Sequence, residues 1–183
     1  GTVSQLCNSA SGIHARFAPY YIRRIQLDKK DPVCQFLLDK GFPLVDYEAK
    51  KETTMVASFP MKAPDGAVCR GSQTAIEQME LWLMYQDDWC EHKPSCTVYV
   101  KEDEWVGVGA WVWERFDRIS GISFLPHSDH VYVQAPYEDL TKEQYEAMLA
   151  TMPTGIDWTT MIEDKDNTTA AQNLACVAGA CEI

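Results

Sequence analysis

The chain has little positive charge. Its 16 lysine and arginine residues stand against 27 aspartate and glutamate residues, which gives a chain of 183 residues a formal net charge of -11 at pH 7. A surface of that sign repels phosphate backbones and anionic lipid headgroups. The composition therefore argues against non-specific binding of a nucleic-acid polymer or a membrane surface, and any phosphorylated ligand has to be held locally.

Long apolar runs are also missing. No run approaches the ~20 residues that a membrane span needs, and the first residues, "GTVSQL", lack the basic segment and apolar core of a signal peptide. We therefore expect a cytoplasmic protein. With 46% apolar residues, the composition fits a globular unit with a substantial core. Because the sequence does not start with methionine, we expect its natural beginning to lie upstream.

The chain lacks the dense, regular cysteine spacing of a secreted disulfide scaffold. It has seven cysteines, an odd number, so most should be reduced thiols. Five stand alone and are expected to act as small buried hydrophobic residues: Cys7, Cys34, Cys69, Cys90 and Cys96.

The other two cysteines, Cys176 and Cys181, form a close pair at the end of the chain, in "ACVAGACEI". The four small residues between them allow a disulfide ring to close without steric obstruction. The preceding "EDKDNTTAAQN" has almost nothing to bury and is expected to be a mobile tether. A reachable pair of thiols suits thiol–disulfide exchange; incidental cysteines, or half of a zinc site, are the alternatives.

From Thr53 onward, strand-like and helix-like segments alternate, which predicts an α/β fold with parallel strands. "TTMVASFPMKAP", "CTVYV" and "GISFL" are predicted strands. "SQTAIEQMELWLMYQDDWCEH" and "LTKEQYEAMLATM" are predicted helices, because Thr74 with Glu77 and Thr141 with Gln144 have capping-box spacing. "KEDEWVGVGAWVWERFDRI" is a third predicted helix, whose tryptophans Trp105, Trp111 and Trp113 we interpret as core.

Three further segments contain side chains that can carry chemistry. "GTVSQLCNSASGIH" is rich in small residues and hydroxyls, which suits either a phosphate-binding stretch or an ordinary loop; it matches neither the P-loop nor the Rossmann fingerprint. "HSDH" places His127, Asp129 and His130 together, a weak metal signal for which a solvated loop is the simpler interpretation. "WCEHKPSC" is interpreted as packing and turn residues.

Five blocks, in order, carry a family resemblance: "GTVSQLCNSASGIHARFAPYYIRR", "FPMKAPDGAVCR", "AIEQMELWLMYQDDWCEHKPS", "GISFLPHSDHVYVQAPYE" and "LACVAGACEI". Together they resemble the C-terminal part of adenosylcobalamin-dependent (class II) ribonucleotide reductases, of the ribonucleoside-triphosphate reductase type. The resemblance implies the C-terminal part of a ten-stranded α/β barrel over residues 1–162 and a flexible tail over residues 163–183.

The resemblance also implies a chemistry. In this family adenosylcobalamin supplies a radical that converts a cysteine to a thiyl, the thiyl takes the substrate's 3'-hydrogen, and a second cysteine pair is oxidised. A C-terminal dithiol, matched here by Cys176 and Cys181, reduces that disulfide and is recycled by thioredoxin or a similar dithiol. The opening residues Gly1, Thr2, Val3 and Ser4 match the loop that holds the substrate phosphates.

Two departures from the family matter. Iron-dependent relatives carry a tyrosine pair where this chain has Phe124 and Leu125, which fits a radical generated next to the site. The thiyl-forming cysteine and the active-site pair belong to upstream sequence, so the chain alone is expected to be inactive, to expose apolar surface and to need an N-terminal partner. The alternatives are a non-catalytic α/β binding module with incidental or metal-binding tail cysteines and, more distantly, a hydrolase built on "HSDH".

Overall fold

The computed structural model describes residues 3–4, 7–127, 133–162, 176–177 and 180–181. The chain divides into two compact units. The first comprises Gly1–Ile25 and Ser58–Thr151, and the second comprises Gln26–Ala57 and Met152–Ile183.

The first unit contains a parallel β–α–β element. Strands β4 (Thr97–Val100) and β5 (Ser123–Pro126) pair in parallel, with Thr97 opposite Ser123. The crossover between them contains helix α3 (Trp105–Glu114), flanked by short 3-10 turns at Glu102–Glu104 and Phe116–Arg118. Because parallel strands need such a crossover, the three predicted segments are confirmed as one unit.

Helix α2 (Ala75–Asp88) is the main packing helix of this unit. Its predicted capping box is present, since Thr74 Oγ1 accepts from Glu77 N at 3.1 Å and Glu77 Oε2 accepts from Thr74 N at 2.8 Å. Between α2, β4 and α3 lies a core whose buried members come from these three elements and from Cys96, just before β4: Ala75, Met79, Trp82, Leu83, Cys96, Val98, Val100, Val108 and Trp111.

Two of the three tryptophans assigned to the core from the sequence are not buried. Trp111 is buried on α3, whereas Trp113 is 83% exposed and Trp105 is 41% exposed. Trp111 and Trp113 are two residues apart, which corresponds to opposite sides of a helix. The core assignment was therefore correct for Trp111 and wrong for the other two.

Four further strands form one sheet: β1 (Tyr20–Asp28), β2 (Leu44–Asp46), β3 (Thr54–Lys62) and β6 (Tyr137–Asp139). Their order in the sheet is β2, β3, β1, β6. β1 pairs antiparallel with β6 and β2 pairs antiparallel with β3. The expectation of parallel strands from Thr53 onward is thus correct for β4 and β5 and wrong for β3, which continues through Pro60 to Lys62.

In the second unit, helix α1 (Pro32–Asp39) follows a local start signal. Asp31 accepts a hydrogen bond from Val33 N at 2.8 Å, and Pro32 occupies the first helical position, where its missing N–H costs nothing. Phe36 of α1 packs against Trp158, with ring centres 5.4 Å apart.

Helix α4 (Lys142–Ala150) begins at the second predicted capping box, where Thr141 Oγ1 accepts from Gln144 N at 3.2 Å. It buries none of its residues. Among the described residues, no helix combines the length and the apolar character that crossing a membrane requires. The fold is a mixed α/β structure; the ten-stranded barrel remains a prediction.

Candidate functional site

The opening stretch folds back on itself. Val3 and Ser4 have helical backbone, and the carbonyl of Val3 accepts from Cys7 N at 3.2 Å. The carbonyl of Ser4 accepts from Ser9 N at 2.9 Å. Gly1 and Thr2 lie outside the described residues, so the phosphate-binding role of Gly1, Thr2, Val3 and Ser4 remains a prediction.

Arg16 holds the far end of this stretch. Its Nη1 donates to the carbonyl of Ser9 at 2.9 Å, and its Nη2 donates to Asn8 Oδ1 at 2.7 Å. The residue is only 6% exposed, and no ion pair joins it to a carboxylate among the described residues. The two Nη atoms of this buried guanidinium are therefore bonded to neutral oxygens and the Tyr21 ring lies 5.8 Å away, whereas its buried Nε has no hydrogen-bond partner among the described residues.

Arg70 lies on the neighbouring segment and is also buried. Arg16 N donates to the carbonyl of Val68, and Arg70 N donates to the carbonyl of Arg16, both at 2.8 Å. Unlike Arg16, Arg70 has an ionic partner, since its Nη2 is 2.5 Å from Asp139 Oδ2 of β6. Its guanidinium carbon is 3.7 Å from the centre of the Phe17 ring.

Aromatic side chains surround the two arginines. Phe17 stacks on Tyr137 with ring centres 5.3 Å apart, and both rings contact Tyr21. Burial raises the pKa of Tyr21 and of Tyr99, so both phenols stay protonated and can donate hydrogen bonds. A cavity of about 160 Å³ is lined by these residues and by the opening stretch: Ser9, Ser11, His14, Arg16, Tyr21, Tyr99 and Tyr137.

A second cavity, of about 330 Å³, lies where β5 ends. Its lining includes Cys69, Arg70, Asp139 and His127, whose backbone N donates to the carbonyl of Val100 at 2.8 Å. His127 Nε2 is buried and has no hydrogen-bond partner among the described residues. Within the same part of the chain, no group of three or more histidine, cysteine or acidic residues is placed to hold a metal ion; Asp129 and His130 lie outside it.

The lone cysteines divide into two groups. Cys34, Cys69 and Cys96 are buried as expected, whereas Cys7 is exposed and Cys90 is half-buried. Burial raises the pKa of all three buried thiols, and that of Cys96 to about 11. The expectation of a buried hydrophobic role is thus wrong for Cys7. The buried thiols are protonated near neutral pH and are poor nucleophiles.

The backbone of the terminal pair forms a small antiparallel hairpin. Strands β7 (Cys176–Val177) and β8 (Ala180–Cys181) pair with Cys176 opposite Cys181. Residues 163–175 lie outside the described part, so the flexible tail from residue 163 and the redox role of the two thiols remain predictions.

Phe124 and Leu125, which stand where iron-dependent relatives carry a tyrosine pair, lie on β5. Phe124 packs against the core between α2, β4 and α3, and Leu125 is 48% exposed. Sequence reasoning missed Arg16 and Arg70, because arginine is normally exposed. The usable signal was their position inside two of the quoted blocks, each among small or apolar residues in an acidic chain.

No protein-family model matched the chain. Among the relatives that do match are two named as adenosylcobalamin-dependent ribonucleoside-triphosphate reductases. A probable one from Dictyostelium discoideum is 31% identical over 162 residues, which cover 83% of this chain and 20% of the relative. The other, from Levilactobacillus brevis, is 27% identical over 191 aligned positions, which cover 100% of this chain and 25% of the relative.

The chain also resembles a solved structure in its fold. The crystal structure of a B12-dependent (class II) ribonucleotide reductase superposes with a TM-score of 0.72 at 26% identity, over 85% of this chain and 22% of that one. The chain thus spans about a fifth to a quarter of the length of the proteins that it matches.

Proposed function

Because this chain is homologous to adenosylcobalamin-dependent ribonucleoside-triphosphate reductases, we propose that it is a part of such an enzyme. In the complete reductase, which converts ribonucleotides to deoxyribonucleotides, it contributes the substrate-phosphate stretch Gly1, Thr2, Val3 and Ser4 and the C-terminal dithiol Cys176 and Cys181. Its partners are then a ribonucleotide, the N-terminal part of the reductase, and thioredoxin or a similar dithiol reductant.

The observation that carries the dithiol proposal is the backbone register of the last strands. Cys176 is directly opposite Cys181, and residues opposite each other in an antiparallel pair have Cα atoms about 4.5–5.5 Å apart. Disulfides span Cα separations of about 4.4–6.8 Å. The hairpin register is therefore compatible with reversible closure of a disulfide between the two residues.

The proposed exchange balances in thiols and electrons. A thiolate of the terminal pair attacks the active-site disulfide and forms a mixed disulfide, releasing one active-site thiolate. The second terminal thiol, once deprotonated, attacks the mixed disulfide and releases the other. Two electrons leave Cys176 and Cys181, which end as a disulfide, and the reduced dithiol of thioredoxin returns them in the same way.

The cofactor is assigned to the complete enzyme and not to this chain. Adenosylcobalamin supplies a radical by homolysis of its cobalt–carbon bond. The cavities near the opening stretch measure about 160 to 550 Å³, and pockets for drug-sized ligands measure ~300–1,000 Å³. A corrin with its nucleotide and adenosyl groups is far larger, so neither cavity can enclose it and the described residues do not form its site by themselves.

An apolar face on α3 supports docking against the rest of a reductase. Val106 is 86% exposed and Trp113 is 83% exposed, and their separation of seven residues places them on one side of the helix. Gly109 and Ala110, both exposed, lie between them. We call this surface the outer α3 face. We assign it to contact with the remaining part of the reductase, which lies outside this chain.

The test is deoxyribonucleotide formation by the complete reductase with adenosylcobalamin, a ribonucleoside triphosphate and a thioredoxin system. The Cys176→Ser/Cys181→Ser variant should lose thioredoxin-driven turnover and regain it with a small dithiol such as dithiothreitol, because only the relay is missing. Cys90→Ser, which removes a half-buried thiol outside both the opening stretch and the terminal pair, is the matched control and should turn over normally.

Normal thioredoxin-driven turnover of the double variant would overturn the dithiol assignment and return the terminal cysteines to an incidental role. Stoichiometric zinc in the purified protein, lost in the same variant, would instead favour the metal-binding alternative. For the phosphate stretch, Ser4→Ala should raise the KM for the ribonucleotide with little change in kcat.

A further inference from the structure

The guanidinium of Arg16 reaches back along the chain to the stretch assigned to the substrate phosphates. It bonds Ser9 through Nη1 and Asn8 through Nη2, seven and eight residues earlier. Ser9 in turn donates its amide N–H to the carbonyl of Ser4. A continuous series of hydrogen bonds thus joins Arg16 to Ser4.

The other end of the series is anchored in the body of the first unit. The backbone N–H of Arg16 donates to Val68, and its carbonyl accepts from Arg70, in a parallel bridge centred on Cys69. With its main chain fixed on both sides and the residue only 6% exposed, Arg16 has little freedom to move. The position of Asn8 and Ser9 therefore follows the position of the Val68–Arg70 segment.

The hydrogen bond from Arg16 also supports the backbone turn at Asn8. Asn8 has a φ of +48°, a left-handed conformation that, glycine apart, asparagine adopts more readily than most residues because its short polar side chain can form local hydrogen bonds. A side-chain oxygen held by a charged donor favours that conformation over the extended alternatives, because charge-assisted hydrogen bonds are the stronger ones. Without the guanidinium, the turn that returns the chain towards Ser4 has one restraint fewer.

The positive charge of Arg16 also favours an anion near the opening stretch. Its neighbour Arg70 is paired with Asp139, whereas Arg16 is bonded only to neutral oxygens among the described residues. A buried cation without a counter-ion produces a positive potential around it. An anionic group held by the opening stretch would lie in that potential.

We propose that Arg16 is a positioning residue for substrate binding: its planar fork holds Asn8 and Ser9, and through them Ser4, in the geometry that binds the phosphates of the ribonucleotide. This inference rests on the proposed function of the opening stretch. Since a lysine is a point charge without the fork, the geometry and the charge can be separated by substitution.

The experiment uses the complete reductase with Arg16→Lys, and measures KM and kcat for the ribonucleoside triphosphate. We expect KM to rise about tenfold, since a charge-assisted bond is lost, with kcat within about twofold. Arg24→Lys is the matched control, because Arg24 also bonds one carbonyl and one side-chain oxygen, those of Ala135 and Glu138, away from the opening stretch. It should leave both constants unchanged.

A second variant removes the acceptor instead of the arginine. Asn8→Gly keeps the left-handed backbone available and deletes the partner of Nη2, so KM should rise about threefold, as for one lost hydrogen bond. In the double variant the two effects should not add, because they break the same contact. Asn8→Gly also decides the matter if Arg16→Lys does not yield folded enzyme.

A fall in kcat at constant KM, equal effects of the Arg16 and Arg24 variants, or an unchanged KM in Asn8→Gly would each overturn the positioning role. Ser4→Ala separates this from the proposed function. If Ser4→Ala raises KM and the Arg16 and Asn8 variants do not, only the inference fails; if Ser4→Ala leaves KM unchanged, the phosphate assignment itself fails.

Discussion

The guanidinium carbon of Arg70 lies 3.7 Å from the centre of the Phe17 ring, close enough for a strong cation–π contact. The same group is paired with Asp139, so the arginine is held from two sides. The side chains differ in burial: Arg70 is 5% exposed and Asp139 is 53% exposed. Removal of Asp139 would therefore leave a buried guanidinium, whereas removal of Arg70 would leave a carboxylate in contact with water.

Removal of the carboxylate should destabilise the protein more than removal of the arginine. Asp139→Ala leaves a buried guanidinium without its ion pair and should lower the free energy of unfolding by ~2 kcal/mol, less than for a fully buried pair because Asp139 is half exposed. Arg70→Met removes the buried charge itself, fills similar volume and leaves Asp139 in water, so the loss should be ~1 kcal/mol, mainly the cation–π contact. Urea unfolding of both variants measures the difference, and a larger cost for Arg70→Met would contradict this account.

The two capping boxes should differ in their effect on global stability, although their geometry is alike. Thr74→Ala should lower the free energy of unfolding by ~1 kcal/mol, because α2 carries buried core residues. Thr141→Ala removes the same kind of cap from α4, which buries none, and should cause only local fraying. Urea unfolding combined with amide hydrogen exchange of the two helices distinguishes these outcomes; equal global losses would refute the distinction.

The buried Cys96 thiol should make stability fall in alkali. Burial raises its pKa in the folded chain to about 11, whereas in the unfolded chain it titrates nearer 8.5. Between these values the folded state holds one more proton than the unfolded state, so the free energy of unfolding decreases as pH rises. Below that range the contribution is fully present.

Cys96→Ala should therefore flatten the pH dependence between about pH 8.5 and 11 relative to the unsubstituted chain. Urea unfolding at several pH values gives the two slopes, and their difference removes the contributions of lysine and tyrosine that both proteins share. Cys7→Ala, which changes an exposed thiol, is the control. Parallel slopes for the Cys96 variant and the unsubstituted chain would rule out this origin.

The elements that could be predicted from the sequence are those set by local signals. Thr74 and Thr141 begin helices in the structure because a capping box acts within four residues. The sheet of β1, β2, β3 and β6 was not predicted, since Tyr21 pairs with Asp139, 118 residues away, through contacts that no short window contains. Arg16 and Arg70 were missed for a similar reason: their burial depends on partners from distant segments.

The outer α3 face should be buried when this chain assembles with the remaining part of a reductase. Val106→Arg should weaken association of this chain with the remaining part of a reductase by at least about tenfold, because a charge would replace an apolar contact that is desolvated in the complex. The face is otherwise uncharged between Val106 and Trp113. Since Val106 is 86% exposed, the substitution should not unfold the chain.

Trp89→Arg is the matched control, because Trp89 is 81% exposed but lies at the end of α2 and outside the outer α3 face. The measurement is the Kd between the chain and the separately produced remainder of the reductase. A selective loss for Val106→Arg places the interface on α3. Equal affinity of the two variants would instead mean that Val106 and Trp113 are solvent-exposed in the assembled enzyme, and the apolar face would then need another occupant.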